Sequence, residues 1–141
     1  MYLHLSDIYI SIVERVGYVM DDLLAQQIEA LEVAVPYCEK ISNAIGNVME
    51  ELNGHRQEDT DEYISSIFNG VNWIIEVYNG TRELINKDSV IIDKDTVNAS
   101  IFKLNAAYNA KNDVMLSDAF GEVKDFVTKF METARSITDN K

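Results

Sequence analysis

The chain has 141 residues, of which 47% are hydrophobic, and a formal charge of −12. This length and apolar content suit one domain with its own core and exclude a disordered chain. The acidic balance disfavours direct binding to nucleic acid, because phosphate contacts need clustered Lys and Arg, and no four consecutive residues contain two basic ones.

Apolar residues recur every three or four positions along most of the chain, which is the period of an amphipathic helix with one buried face. We predict helices over about residues 6–24, 27–53, 60–86, 96–110 and 114–138. The turn at 25–27 is weakly marked, so the first two helices could be continuous. Short turns imply antiparallel neighbours. The predicted fold is therefore all-α, an antiparallel bundle of four to five helices in a single domain, residues 1–141.

Local signals set the expected helix ends. Pro36 falls on the polar face of the second predicted helix, where a proline bends a helix without ending it. Asn53 and Gly54 form a favourable C-terminal end, and Asp59 is a predicted N-terminal cap. Asp95 or Thr96 is expected to cap the fourth predicted helix, and residues 111–113 to form a tight turn before the fifth.

The long connection at residues 87–94 contains Val-Ile-Ile at 90–92, which we expect to pack against the bundle because these side chains are apolar. The helical stripes also predict a core. Its expected members are Ile12, Val16, Leu23, Leu31, Ile41, Ile45, Ile67, Val71, Ile74, Leu104, Val123 and Val127.

No catalytic or metal-binding constellation is recognisable. His4 and His55 are separated from each other and from Cys38, which leaves no triad and no zinc set. Asp93 and Asp95 resemble the start of a calcium loop, but the glycine that such a loop requires is absent. We predict no enzyme, no catalytic residue, no cofactor and no metal site. The single Cys and the absence of a targeting or membrane-spanning pattern predict a cytoplasmic protein with no membrane partner.

Some apolar side chains lie beside the main stripes: Trp73 and Val77, Phe102, and Phe126. A central helix that contacts several neighbours needs such width, so these residues could simply be core. Alternatively, they line a groove for a partner helix or a homodimer face. We therefore predict a non-enzymatic protein-interaction module, chaperone- or adaptor-like. The alternatives are a structural homodimer without a separate client and a helical bundle that binds a small molecule.

Several segments resemble a family of small, acidic, uncharacterised bacterial helical proteins. They are VGYV at 16–19, QIEAL at 27–31, residues 41–46, and NDVMLSD at 112–118 followed by Glu122. A proline usual in the family's last helix is missing from this chain. The resemblance implies a helical-bundle domain of unknown function and no catalytic residue. In size, acidity and helicity the chain is also similar to flagellar and secretion chaperones, without a diagnostic motif.

Overall fold

The computed structural model describes the backbone of residues 5–140 and the side chains of residues 21–140. It contains four helices: α1 (Leu5–Leu52), α2 (Thr60–Ile85), α3 (Lys94–Asn109) and α4 (Asp113–Asp139). No strand occurs among the described residues. The predicted all-α fold is confirmed.

The first two predicted helices are one helix of 48 residues. Residues 25–27 are Ala-Gln-Gln, which favour a helix and include neither Gly nor Pro, so nothing in the local sequence ends it. The alternative of one continuous helix is therefore confirmed, and the predicted break after residue 24 is absent. The helix also continues through Pro36, which is exposed as expected.

Helices α1 and α2 pack antiparallel. Gln27 donates a hydrogen bond of 3.0 Å from Nε2 to the carbonyl oxygen of Gly80, near the end of α2. Farther along α1, Asn47 lies beside Tyr63, near the start of α2. The paired positions therefore run in opposite directions along the two helices.

Helix α4 also runs antiparallel to α1. A Cβ atom at Gly121 would lie 3.4 Å from Met49 Cε, and Arg56, just after α1, forms an ion pair with Asp113 at the start of α4. The short turn at residues 110–112 reverses the chain between α3 and α4. The topology is the predicted up-and-down bundle.

Most of the predicted core is buried, but the prediction for Leu23 is wrong, since its side chain is 51% exposed. At 1.5 Å per residue α1 is about 72 Å long, against about 40 Å for α2 and α4, so its N-terminal part extends past them. All of residues 21–26 are exposed for this reason. Ile12 and Val16 lie outside the described side chains. The buried predicted residues are Leu31, Ile41, Ile45, Ile67, Val71, Ile74, Leu104, Val123 and Val127.

The turn between α1 and α2 occurs at the predicted residues, but its hydrogen bonds differ from the predicted ones. Gly54 has a φ of 87°, the left-handed conformation expected just after a helix end. The Asp59 side chain makes no capping hydrogen bond. Instead, the buried Thr60 hydroxyl accepts a hydrogen bond of 2.7 Å from the backbone N–H of Gln57 and donates one of 2.7 Å to Glu51. A hydroxyl serves here because it donates and accepts at once.

The cap of α3 is Asp93, not Asp95 or Thr96. Its carboxylate accepts hydrogen bonds from the backbone N–H and the hydroxyl of Thr96, at 3.2 and 3.0 Å. Asp93 has extended backbone angles, as an N-cap requires, whereas Asp95 already lies within the helix. At the next turn Asn112 caps α4 by accepting from the Met115 N–H at 3.1 Å, at the predicted place.

Candidate functional site: a groove between α3 and α4

A groove with two adjoining clefts runs between α3 and α4. The loop cleft, of about 400 Å³, lies between the α2–α3 connection, α3 and α4, and includes Val90, Ile91, Val97 and Phe126. The turn cleft, of about 310 Å³, lies nearer the α3–α4 turn. Glu122 lines both clefts, so they adjoin each other, and together they are called the α3–α4 groove.

Phe102 forms one wall of the turn cleft, and its side chain is 75% exposed. Met115, which is 52% exposed, lines the same cleft from α4. Ala106 of α3 and Ala119 of α4 line the same cleft. The short alanine side chains leave the space between the walls unfilled, which is why an apolar depression exists here.

Phe126 belongs to the core and forms part of the loop cleft. It is 8% exposed, stacks on Phe130 with ring centroids 6.1 Å apart, and meets Tyr78 edge to face at 5.5 Å. The sequence pattern placed Phe126 beside its stripe, and the structure shows the reason. Helix α4 packs against more than one neighbour, so its buried face is wider than one stripe.

The rim of the loop cleft is held by Asn86. Its side-chain amide donates to the Ile92 carbonyl at 3.0 Å, and its oxygen accepts from the N–H groups of Ile91 and Ile92 at 2.9 and 3.0 Å. The buried Tyr78 hydroxyl donates to the same Ile92 carbonyl at 2.9 Å. Of the three apolar residues expected to pack inward, only Ile92 is buried; Val90 is 73% and Ile91 37% exposed. A connection anchored at Ile92 leaves the two preceding side chains at the mouth of the cleft.

Carboxylates predominate in the groove. Asp118, Glu122 and Asp125 follow one another along α4, and Lys103 of α3 pairs with Glu122 at 3.0 Å where the clefts meet. Asp118 and Asp125 make no ion pair or side-chain hydrogen bond with the described residues. The groove is therefore an apolar surface beside acidic groups that are free to meet basic ones.

The other two candidate residues, Trp73 and Val77, lie on α2, outside the groove. Trp73 is partly buried and meets Tyr37 edge to face, with ring centroids 4.8 Å apart. Val77, one turn on, is also partly buried against the core. Gly70 allows this approach, because a Cβ there would lie 3.1 Å from Ile41 Cγ1. Trp73 and Val77 therefore do not contribute to the groove that contains Phe102.

The sequence pattern did not indicate the other residues of the groove. Met115, Ala106 and Ala119 stand out only when α3 and α4 are placed side by side. Val90 was expected to be covered. One sequence signal could have located the turn cleft. Phe102 lies beside its apolar stripe and four residues before Ala106, so a large and a small apolar side chain share one face of α3.

The residues considered for catalysis in the sequence are His4, His55 and Cys38. His55 is exposed in the turn after α1, and His4 lies outside the described residues. Burial raises the pKa of the Cys38 thiol to about 12, so this sulfur is not a thiolate nucleophile at neutral pH. No group of three or more His, Cys, Asp or Glu in this part of the chain is placed to hold a metal ion. Nor does any helix in this part combine the length and apolarity needed to cross a membrane.

Comparison with known proteins places the bundle in an uncharacterised family. The family described as Domain of unknown function (DUF8042) matches residues 29–133, which include all of α2 and α3. No curated protein and no solved structure matches the chain. Since the match spans most of the sequence and confirms the resemblance to an uncharacterised family, the chain belongs to the DUF8042 family.

Proposed function

We propose that this protein is a non-enzymatic interaction module, chaperone- or adaptor-like, which binds a partner protein through the α3–α4 groove. The observation that supports this most is Phe102, whose side chain is 75% exposed beside an apolar cleft. Burying such a side chain contributes about 1.5–3 kcal/mol, which the isolated chain leaves unused.

The surrounding groove supports the same function. Val90, Ile91 and Met115 are exposed on the same side of the bundle and line the two clefts. Clustered exposed apolar side chains are typical of a protein-interaction site, whereas single ones are ordinary. A groove between two helices accepts an amphipathic helix well. The net charge of −12 argues against nucleic acid as the partner, and a buried free thiol suits a reducing compartment such as the cytoplasm.

Site-specific photo-crosslinking tests the proposal. A photoreactive phenylalanine analogue at position 102 is compared, in the native cell, with the same analogue at position 33, because Val33 is also exposed, at 56%, but lies on α1 outside the groove. One dominant adduct with a different protein from position 102 and none from position 33 supports the proposal. The purified partner must then lose at least tenfold in affinity with Phe102→Ser. Equal adducts from both positions contradict it, and a small molecule retained in the groove through purification would favour a ligand-binding bundle.

A second candidate function, self-association, is favoured by a different surface. Leu23 is 51% and Leu24 43% exposed on α1, and Leu24 lies two turns before the fully buried Leu31 on the same face. A second copy of the chain could cover this extension of the buried stripe. Light scattering should then give twice the chain mass of 16.0 kDa, and Leu24→Ser should return the monomer. A monomer at all concentrations contradicts this candidate.

A further inference from the structure

We infer that the α3–α4 groove binds one basic amphipathic helix of a partner protein, with two apolar side chains seven residues apart, one in each cleft. This inference rests on the proposed function and adds the chemistry of the partner.

The spacing comes from α4, which lines the two clefts with one repeated pattern. Every α4 residue of the turn cleft stands seven positions before an α4 residue of the loop cleft. The first set is Met115, Asp118, Ala119 and Glu122, and the second is Glu122, Asp125, Phe126 and Lys129.

Seven residues are two helical turns, about 10.5 Å along the axis, with a rotation of only about 20°. The two clefts therefore face the same way at that separation. A helix lying along the groove has the same rise, so its residues i and i+7 are also about 10.5 Å apart and on one face. A partner helix can thus place one apolar side chain in each cleft without bending.

The charge comes from the same repeat. Asp118 borders the turn cleft and Asp125 the loop cleft, so each cleft has an exposed carboxylate directly before an apolar α4 residue, Ala119 in one and Phe126 in the other. Neither carboxylate has an ion-pair partner among the described residues, and Lys103 pairs with Glu122. Lys129, at the far end of the loop cleft, is the other cation of the groove. Lys or Arg beside each apolar anchor of a partner would meet Asp118 and Asp125 directly.

The same charges disfavour a second copy of the chain in the groove. A copy brings a net charge of −12 against a groove in which four carboxylates face two lysines. Attraction between a basic helix and this rim weakens as salt is added, because the screening length falls to about 3 Å near 1 M. Self-association of two acidic chains should instead strengthen with salt. Salt dependence therefore separates the two occupants.

The test uses a display library of helical peptides, with randomised positions on one face, selected against the full chain. Enriched peptides are expected to carry a net positive charge and two large apolar residues at i and i+7. Their affinity should fall at least tenfold with Phe102→Ser and severalfold with Asp118→Asn plus Asp125→Asn. Val33→Ser and Asp139→Asn are the matched controls, since both residues are exposed and lie outside the groove.

The outcomes distinguish failure of this inference from failure of the proposed function. Enriched peptides that depend on Phe102 but are neutral or acidic, or that ignore both aspartate substitutions, overturn the inference and leave the proposed function intact. Enriched peptides indifferent to Phe102→Ser overturn both. Failure to enrich any peptide over an unselected pool also counts against both.

Discussion

Helices α2 and α3 differ in how much of each is buried. Helix α2 has 26 residues and buries a continuous row that includes Ile67, Ile74 and Tyr78. Helix α3 has 16 residues and buries only Val97, Leu104 and Ala107, while its single phenylalanine, Phe102, faces solvent. The stability of the bundle therefore comes mainly from α1, α2 and α4, and α3 supplies surface. Substitutions of buried residues in α2 and α4 should lower stability and leave binding unchanged. Substitution of Phe102 in α3 should weaken binding and leave stability unchanged.

The largest loss of stability is expected from Phe130→Ala. The Phe130 ring is fully buried and contacts both Phe126 and Tyr78. Removing it should lower the free energy of unfolding by about 3–5 kcal/mol, through lost burial and a cavity. Denaturant titration measures this, with Phe130→Leu as a milder control. A loss below about 1 kcal/mol would mean that the neighbouring side chains fill the space left by the ring. That result would contradict the view that the contacts of Phe130 contribute most to stability.

Trp73→Ala should cost less, about 2 kcal/mol, because the side chain is only partly buried and its edge contact with Tyr37 supplies part of its stabilisation. Binding at the groove should not change, since Trp73 lies at the α1–α2 contact. Denaturant titration of the variant measures its stability, and its affinity for the selected helical peptides measures binding. Unchanged stability with at least tenfold weaker binding would move the interaction surface from α3 to α2.

Asn86→Ala should lower stability by about 1–2 kcal/mol, since three hydrogen bonds to the connection are lost. The effect should be local. Hydrogen exchange at the amides of Ile91 and Ile92 should accelerate, while exchange in the middle of α1 and α4 changes little. Asn79→Ala, at an exposed position of α2, is the control. Equal acceleration throughout the bundle would show that the connection is part of the cooperative core.

Arg56→Gln should have a smaller and pH-dependent effect. The Arg56 guanidinium donates two hydrogen bonds to Asp113, at 2.8 and 3.0 Å, and lowers the pKa of that carboxyl below its ordinary 3.8. A lowered pKa stabilises the fold above 3.8, and the stabilisation is lost as the pH falls through the lowered pKa. Because solvent screens this partly exposed pair, we expect at most about 1 kcal/mol. The difference from the unsubstituted chain should shrink below that pH, whereas Arg135→Gln should show no such dependence. A difference that is constant from acid to neutral pH contradicts this assignment.

Phe102→Ser should change stability least, by less than about 0.5 kcal/mol, because its side chain is already exposed. Val33→Ser should behave alike in denaturant titration. Only Phe102→Ser should affect binding at the groove. If it destabilises the fold by more than about 2 kcal/mol, the ring contributes to packing and α3 is not merely surface.

Sequence alone determined which side of each helix is buried. The three-and-four spacing of residues such as Ile67, Val71 and Ile74 requires one apolar face whatever covers it, and the turns near Gly54 and Asn112 follow from local backbone preferences. Spacing could not reveal where α1 loses its neighbours, so Leu23 was placed in the core. It also could not distinguish Asp93 from Asp95 as the cap of α3, since that depends on where the connection is anchored by Asn86.

The groove was decided by tertiary structure. Phe102 and Phe126 both lie beside their stripes in the sequence, yet one is exposed and the other buried. Periodicity gives the direction of a side chain from its own helix axis but not the presence of a neighbour in that direction. Helix α4 has neighbours on several sides, which cover Phe126, whereas nothing in the described chain lies over the outer side of α3 at Phe102. The lengths of the helices and the positions of the turns between them decide which helices are neighbours. They therefore decide that Phe126 is covered and Phe102 is exposed.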